Sequence, residues 1–216
     1  MVNSTGRLSP DEHSIAFEST NGDGDFLVVH EIASGTSRHV PRKAGDMGWI
    51  ISAGSEIVWY GTGTGLLWLT DAKGANRREL LATEGRGSIE GRNLALAPDG
   101  ESIAVLGSTR EGSILTRVAI HGGIAKVIAR LPASDGDVGV AGWGRNGAIS
   151  LSRENPATGG TSLLRLTTVG GAAGSDVELP VACNPRTVTV AAGGRRAACL
   201  VPDRRADLIL IDGLRP

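Results

Sequence analysis

Leu96-Ala97-Pro98-Asp99-Gly100-Glu101-Ser102-Ile103-Ala104-Val105 has a near copy at the start of the chain, Leu8-Ser9-Pro10-Asp11-Glu12-His13-Ser14-Ile15-Ala16-Phe17. Degenerate versions follow the same outline: Ile51 to Trp59, Gly142 to Leu151 and Ala191 to Cys199. The first core residue after each turn is Ile15, Ile57, Ile103, Ile149 and Ala197, at spacings of 42, 46, 46 and 48 residues. A period near 40–45 residues, with several short apolar segments inside each unit, is that of a four-stranded propeller blade.

Each unit continues alike. A second apolar segment comes next, at Phe26 to Ile32, Leu66 to Thr70, Ile114 to Ile120, Leu163 to Thr167 and Leu208 to Ile211. In the first four units a small-residue turn such as Asp71-Ala72-Lys73-Gly74 or His121-Gly122-Gly123 follows, then a further short strand. Gly-bearing links of this kind join hairpin strands. Alternation along Leu66-Leu67-Trp68-Leu69 is weak, as expected where both faces of a strand are covered. Residues 77–83 are helix-compatible by propensity but occupy the outer-strand position of the second unit. The expected fold is all-β, a β-propeller of four-stranded antiparallel blades. Four blades are complete and one is partial, at about 2–42, 43–88, 89–134, 135–181 and 182–216 of a single domain.

Composition agrees. The 216 residues are 40% hydrophobic but 3% aromatic, so the core must be built from Val, Ile, Leu and Ala. Thirty-two glycines against nine prolines suit many tight turns. A net charge of −1 with no basic stripe argues against a nucleic-acid partner. No apolar run approaches the roughly 18 residues of a membrane span. Met1 to Gly6 is polar and holds no signal-peptide core. The chain as written is expected to be cytoplasmic, or periplasmic as part of a longer exported protein.

No stretch carries a catalytic constellation. Asn21-Gly22-Asp23-Gly24-Asp25 begins like a calcium loop, but Ile32 stands where the twelfth-position carboxylate is needed; a turn is the expectation. Gly61-Thr62-Gly63-Thr64-Gly65 precedes a strand pattern, whereas a phosphate cradle needs a helix N-terminus. His13, His30, His39 and His121 share no ligand spacing, and no Gly-x-Ser-x-Gly elbow occurs. No cofactor, metal or catalytic residue is assigned. Pairing around Ala192-Gly193 brings Cys199 opposite Thr187 rather than Cys183, so two reduced cysteines are expected. Of the four tryptophans, Trp49, Trp59, Trp68 and Trp143, Trp49 and Trp143 occupy equivalent positions before the inner turn, which points to packing between blades; a role on a binding face is the alternative.

The Ser9-Pro10-Asp11 element followed by Ile15-Ala16-Phe17, and Leu115 followed by Gly122-Gly123, resemble the TolB-type propeller repeat, a WD40-like bacterial family rich in Pro-Asp-Gly turns. The resemblance spans nearly the whole chain at five positions, two of which keep Pro-Asp. It implies a structural role for those turns. It also implies one of several settings: a periplasmic scaffold, a cap on a prolyl-oligopeptidase-like peptidase, or a sensor behind a bacterial kinase or DNA-binding domain.

The fifth unit ends without a fourth strand, and Met1 to Arg7 are needed as the inner strand of the first. Three readings stand: a portion of a six- to eight-bladed propeller, a five-bladed ring with a thin last blade, or a ring completed by a second copy. Leu208-Ile209-Leu210-Ile211 is the expected open edge and a site for self-association. The functional expectation is a non-catalytic interaction or scaffold module for a protein or peptide partner. The alternative is a sensing or substrate-gating propeller portion of a longer peptidase or kinase.

Overall fold

The structure is a computed structural model. It describes residues 7–9, 13–21, 24–42, 48–51, 56–60, 67–80, 93–122, 125–136, 138–155, 158, 160–167, 173–179, 183–190, 195–201 and 207–212. These form five antiparallel sheets in which each strand pairs with the next in sequence. The first holds β1 (Arg7–Leu8), β2 (Ser14–Asn21), β3 (Gly24–Glu31) and β4 (Ser37–Pro41). The second holds β5 (Gly48–Ile51), β6 (Ile57–Tyr60), β7 (Leu67–Thr70) and β8 (Arg78–Leu80). The third holds β9 (Leu94–Leu96), β10 (Ser102–Thr109), β11 (Gly112–Ala119) and β12 (Lys126–Pro132). The fourth holds β13 (Val138–Trp143), β14 (Ala148–Glu154), β15 (Thr161–Thr167) and β16 (Ala173–Glu178). The fifth has three strands: β17 (Thr189–Val190), β18 (Arg196–Val201) and β19 (Asp207–Asp212). Four complete blades and a partial fifth are therefore present. The helix-compatible stretch is a strand at Arg78–Leu80, and residues 81–83 lie outside the described set.

The core is built between blades. Along β10, Ile103 and Val105 pack with Val58, Leu67, Leu69 and Leu80 of the second blade. The intervening Ala104 and Leu106 pack with Val140, Trp143, Ile149 and Leu151 of the fourth. Successive strand residues point to opposite faces, so one strand serves two interfaces, and its hydrophobic pattern is continuous rather than alternating. Two similar clusters join the first blade to the second (Ala16, Leu27, Val29 and Val40 with Ile57 and Trp59) and the fourth to the fifth. First strands of successive blades lie side by side, β1 by β5, β9 by β13 and β13 by β17. The approach of β13 to β17 is close enough that a Cβ on Gly142 would stand 2.7 Å from the carbonyl oxygen of Val190.

The turn chemistry is shared more widely than the letters suggest. At Pro98-Asp99-Gly100, Gly100 has φ 75° and its N–H donates to the Ala97 carbonyl at 2.9 Å. The Asp99 carboxylate accepts the N–H of Glu101 at 2.9 Å. In the fourth blade, where Pro-Asp is lost, Gly147 has φ 79° and donates to Gly144, and Asn146 Oδ1 accepts the N–H of Ala148 at 3.1 Å. Asn146 does the work of Asp99, since either side chain can close a turn on the backbone two residues ahead.

The expectation of reduced cysteines is overturned. Cys183 and Cys199 form a disulfide, with Cα atoms 5.7 Å apart. Two features missing from the sequence reading bring them together. The register pairs Thr189 with Ala198 and Val190 with Ala197, one residue from that assumed. A 3-10 turn at Pro185–Thr187 then folds the preceding chain back, with the Asn184 carbonyl accepting the N–H of Thr187 at 2.9 Å.

Candidate functional site

The inner turns of the third and fourth blades stand next to each other because β9 lies beside β13. A cleft of about 390 Å³ opens between them. One wall is the turn at 97–99, the other is 143–145 with Gly147, and Arg117 of β11 completes the lining. Trp143 forms part of the wall yet is 7% exposed, its ring held in the cluster with Ile149 and Leu106. The Arg117 guanidinium lies 5.7 Å from the Trp143 ring centroid, within cation–π range. Its Nε donates to the hydroxyl of buried Ser102 at 2.9 Å. That bond ties an exposed side chain to the strand beneath it, so Arg117 is presented in a fixed orientation. Arg145, at the corner of the fourth blade's turn, is exposed and has no hydrogen-bond or ion-pair partner among the described residues.

The charge of the lining is thus two guanidiniums against the single carboxylate of Asp99, one of whose oxygens is already engaged by a backbone N–H. The described lining offers no histidine or cysteine. Its chemistry is aromatic and cationic.

The other residues weighed from the sequence are dispersed. His30 Nδ1 meets Ser37 Oγ at 3.0 Å, the His39 ring lies tilted against Phe26 with centroids 5.8 Å apart, and His121 faces Glu56 at 3.8 Å across the second and third blades. The His13 carbonyl accepts the N–H of Ile32 at 2.9 Å. Among the described residues no group of three or more His, Cys, Asp or Glu could hold a metal ion. Gly61 to Gly65, and Gly22 and Asp23 of the calcium-like stretch, lie outside the described residues. Trp59 is fully enclosed, and its indole N–H donates to Thr70 Oγ1 at 2.9 Å. Trp68 carries the Arg77 guanidinium at 4.4 Å. Of the two tryptophans at equivalent positions, Trp49 pairs with Trp59 in the strand register and Trp143 lines the cleft.

The pairing of Arg117 with Trp143 was not found from sequence, though a signal existed. An offset of 88 residues aligns the third blade with the first, and Arg117 then falls on Val29, a fully buried apolar position. An arginine in an apolar repeat position marks a place where one blade departs from the shared pattern.

No family profile and no curated protein matches the sequence. Solved structures do match. TolB from Acinetobacter baumannii superposes with a TM-score of 0.72 at 14% identity, over 96% of this chain and 51% of that one. A chain of the nidogen–laminin complex superposes at 0.65 with 13% identity, over 93% and 72%. Oligogalacturonate lyase from Vibrio parahaemolyticus superposes at 0.59 with 10% identity, over 95% and 73%. The chain shares the β-propeller fold of these proteins, and it spans about half the length of that TolB.

Proposed function

We propose that this chain is a non-catalytic β-propeller module that binds a protein or peptide partner. The observation that carries the reading is the cleft between the third and fourth blades, with Trp143 and Arg117 held in place and the exposed Arg145 in its lining. Tryptophan and arginine are the residue types that dominate binding hot spots, where a fixed anchor loses little entropy on association. TolB and the nidogen–laminin chain supply a fold suited to such a module. Partner capture by the native chain and by an Arg145→Glu variant tests it. A partner retained by the first and lost by the second is the expected result. Capture indifferent to Arg145, or turnover of a substrate by the isolated chain, contradicts the reading.

A second reading is a sensing or substrate-gating propeller portion of a longer enzyme. The superposition on a lyase and the half-length match to TolB favour it. Coding sequence that continues in frame into a hydrolase or kinase domain would decide for it; a frame holding no catalytic domain would decide against.

A further inference from the structure

We propose that the cleft between the third and fourth blades is a carboxylate site, the recognition point for a peptide's acidic side chain or C-terminus. The inference rests on the reading of the chain as an interaction module and names the chemistry it would recognise. Three features converge. Arg117 commits Nε to Ser102 and lies within cation–π range of Trp143, which leaves the two terminal nitrogens of the fork without hydrogen-bond partners among the described residues. A guanidinium fork oriented in this way matches the two oxygens of a carboxylate. Arg145, which has no hydrogen-bond or ion-pair partner among the described residues, adds a second cation on the facing turn. Asp99 offsets one of the two charges, so the lining carries a single net positive charge, complementary to a monoanion rather than to a phosphate dianion. The Trp143 ring supplies an apolar wall for the group that bears the carboxylate, and about 390 Å³ lies within the usual range of ligand sites.

The test is a titration of the native 216-residue chain followed by the indole N–H resonance of Trp143, assigned through Trp143→Phe. The probes are N-acetyl-phenylalanine, N-acetyl-phenylalaninamide, N-acetyl-glutamic acid α-amide and phenyl phosphate. The two carboxylates should shift the resonance saturably, and the neutral amide should not. Whichever carboxylate binds tighter identifies the source as a chain terminus or a side chain. Arg145→Gln should weaken the binding about tenfold, and Arg117→Lys by a similar factor, because it keeps the charge and loses the fork. If the Arg117 variant fails to fold, the exposed Arg145 variant carries the test. The proposal is overturned if no carboxylate saturates the shift, if the amide acts equally, if phenyl phosphate binds tighter, or if Arg145→Gln leaves the affinity unchanged. Partner capture that persists while the carboxylates fail would remove this proposal and leave the interaction module standing.

Discussion

The first and third blades align residue for residue at an offset of 88, yet among the described residues the third has two covered faces and the first has one. Ile103 and Ile120 of the third blade are 0% exposed, while their counterparts Ile15 and Ile32 are 38% and 48% exposed. Ala16 and Ala104, on the opposite face, are both fully buried. Even the hydrogen bond that holds each segment is repeated, Ile32 N–H to the His13 carbonyl and Ile120 N–H to the Glu101 carbonyl, each at 2.9 Å. Local structure is thus the same in both blades, and only the neighbour differs. The second blade covers Ile103; no described residue sequesters Ile15. Stability in such a row is a sum of unit and interface contributions, and the last blade shows the same condition at the other end, with Leu210 69% exposed and Ile211 6% exposed.

The comparison breaks most readily at the paired isoleucines. Ile103→Ala should destabilise by about 2–5 kcal/mol, the usual cost of opening a cavity in a closed core. Ile15→Ala should cost about 1 kcal/mol or less, because its neighbours can settle and water already reaches it. Denaturant melts of the two variants decide, and equal losses would mean that the first blade is as enclosed as the third.

The disulfide ranks next. Cys183 and Cys199 are 16 residues apart, and closing a loop of that length stabilises by about 3 kcal/mol. Alkylation in denaturant without reductant should leave the mass unchanged. Reduction should lower the Tm, with the fifth blade losing hydrogen-exchange protection first, since among the described residues its core packs only on the fourth blade. Two alkyl adducts before reduction would refute the pairing.

A smaller effect is expected at the inner turn. Gly100→Val forces a β-branched residue to positive φ and should cost about 1–3 kcal/mol, whereas exposed Glu101→Ala should stay within about 0.5 kcal/mol. Gly147→Val in the fourth blade should match Gly100→Val, because the two turns share a conformation. Thermal melts in which Gly147→Val is harmless would show that the turns are not equivalent.

The smallest effect belongs to Asp71, in the outer turn of the second blade. The N–H of Lys73 is the largest of the influences that hold its carboxyl below the ordinary carboxylate value, followed in the same direction by the N–H of Ala75 and the Asn76 amide. A depressed folded pKa means the carboxylate stabilises the fold above the unfolded value, near pH 4, and loses that contribution as pH falls through the folded value. Asp71→Ala should therefore show a slightly lower Tm at neutral pH and converge with the native chain in strong acid. A gap independent of pH would contradict this.

The sequence revealed what repetition encodes. Ile57, Ile103, Ile149 and Ala197 mark the blades because a blade covered by the one before it needs a core residue there; Ile15 keeps the same letter at an exposed position, and Pro98-Asp99-Gly100 marks a turn that only a few residue types can form. What it concealed depends on contacts between units. The Cys183–Cys199 pair needs a 3-10 turn at Pro185–Thr187 and a register fixed by packing on the fourth blade, where Thr161 Oγ1 donates to the Cys183 carbonyl at 2.5 Å and Ser152 Oγ to that of Pro185 at 2.7 Å. The cleft joins Arg117 to Trp143 across two blades, and no spacing within one repeat reports such a meeting.

The claim that each blade is closed by its neighbours is tested most directly by thiol labelling of the native protein at high dilution. Ile15→Cys and Ile103→Cys variants are each exposed to a thiol reagent, with the native disulfide intact. The thiol placed at position 15 should react at close to the rate of an unstructured cysteine. The thiol at position 103 should react orders of magnitude more slowly, through global opening alone. Equal protection of both would contradict the account and show that the outer face of the first blade is covered in solution.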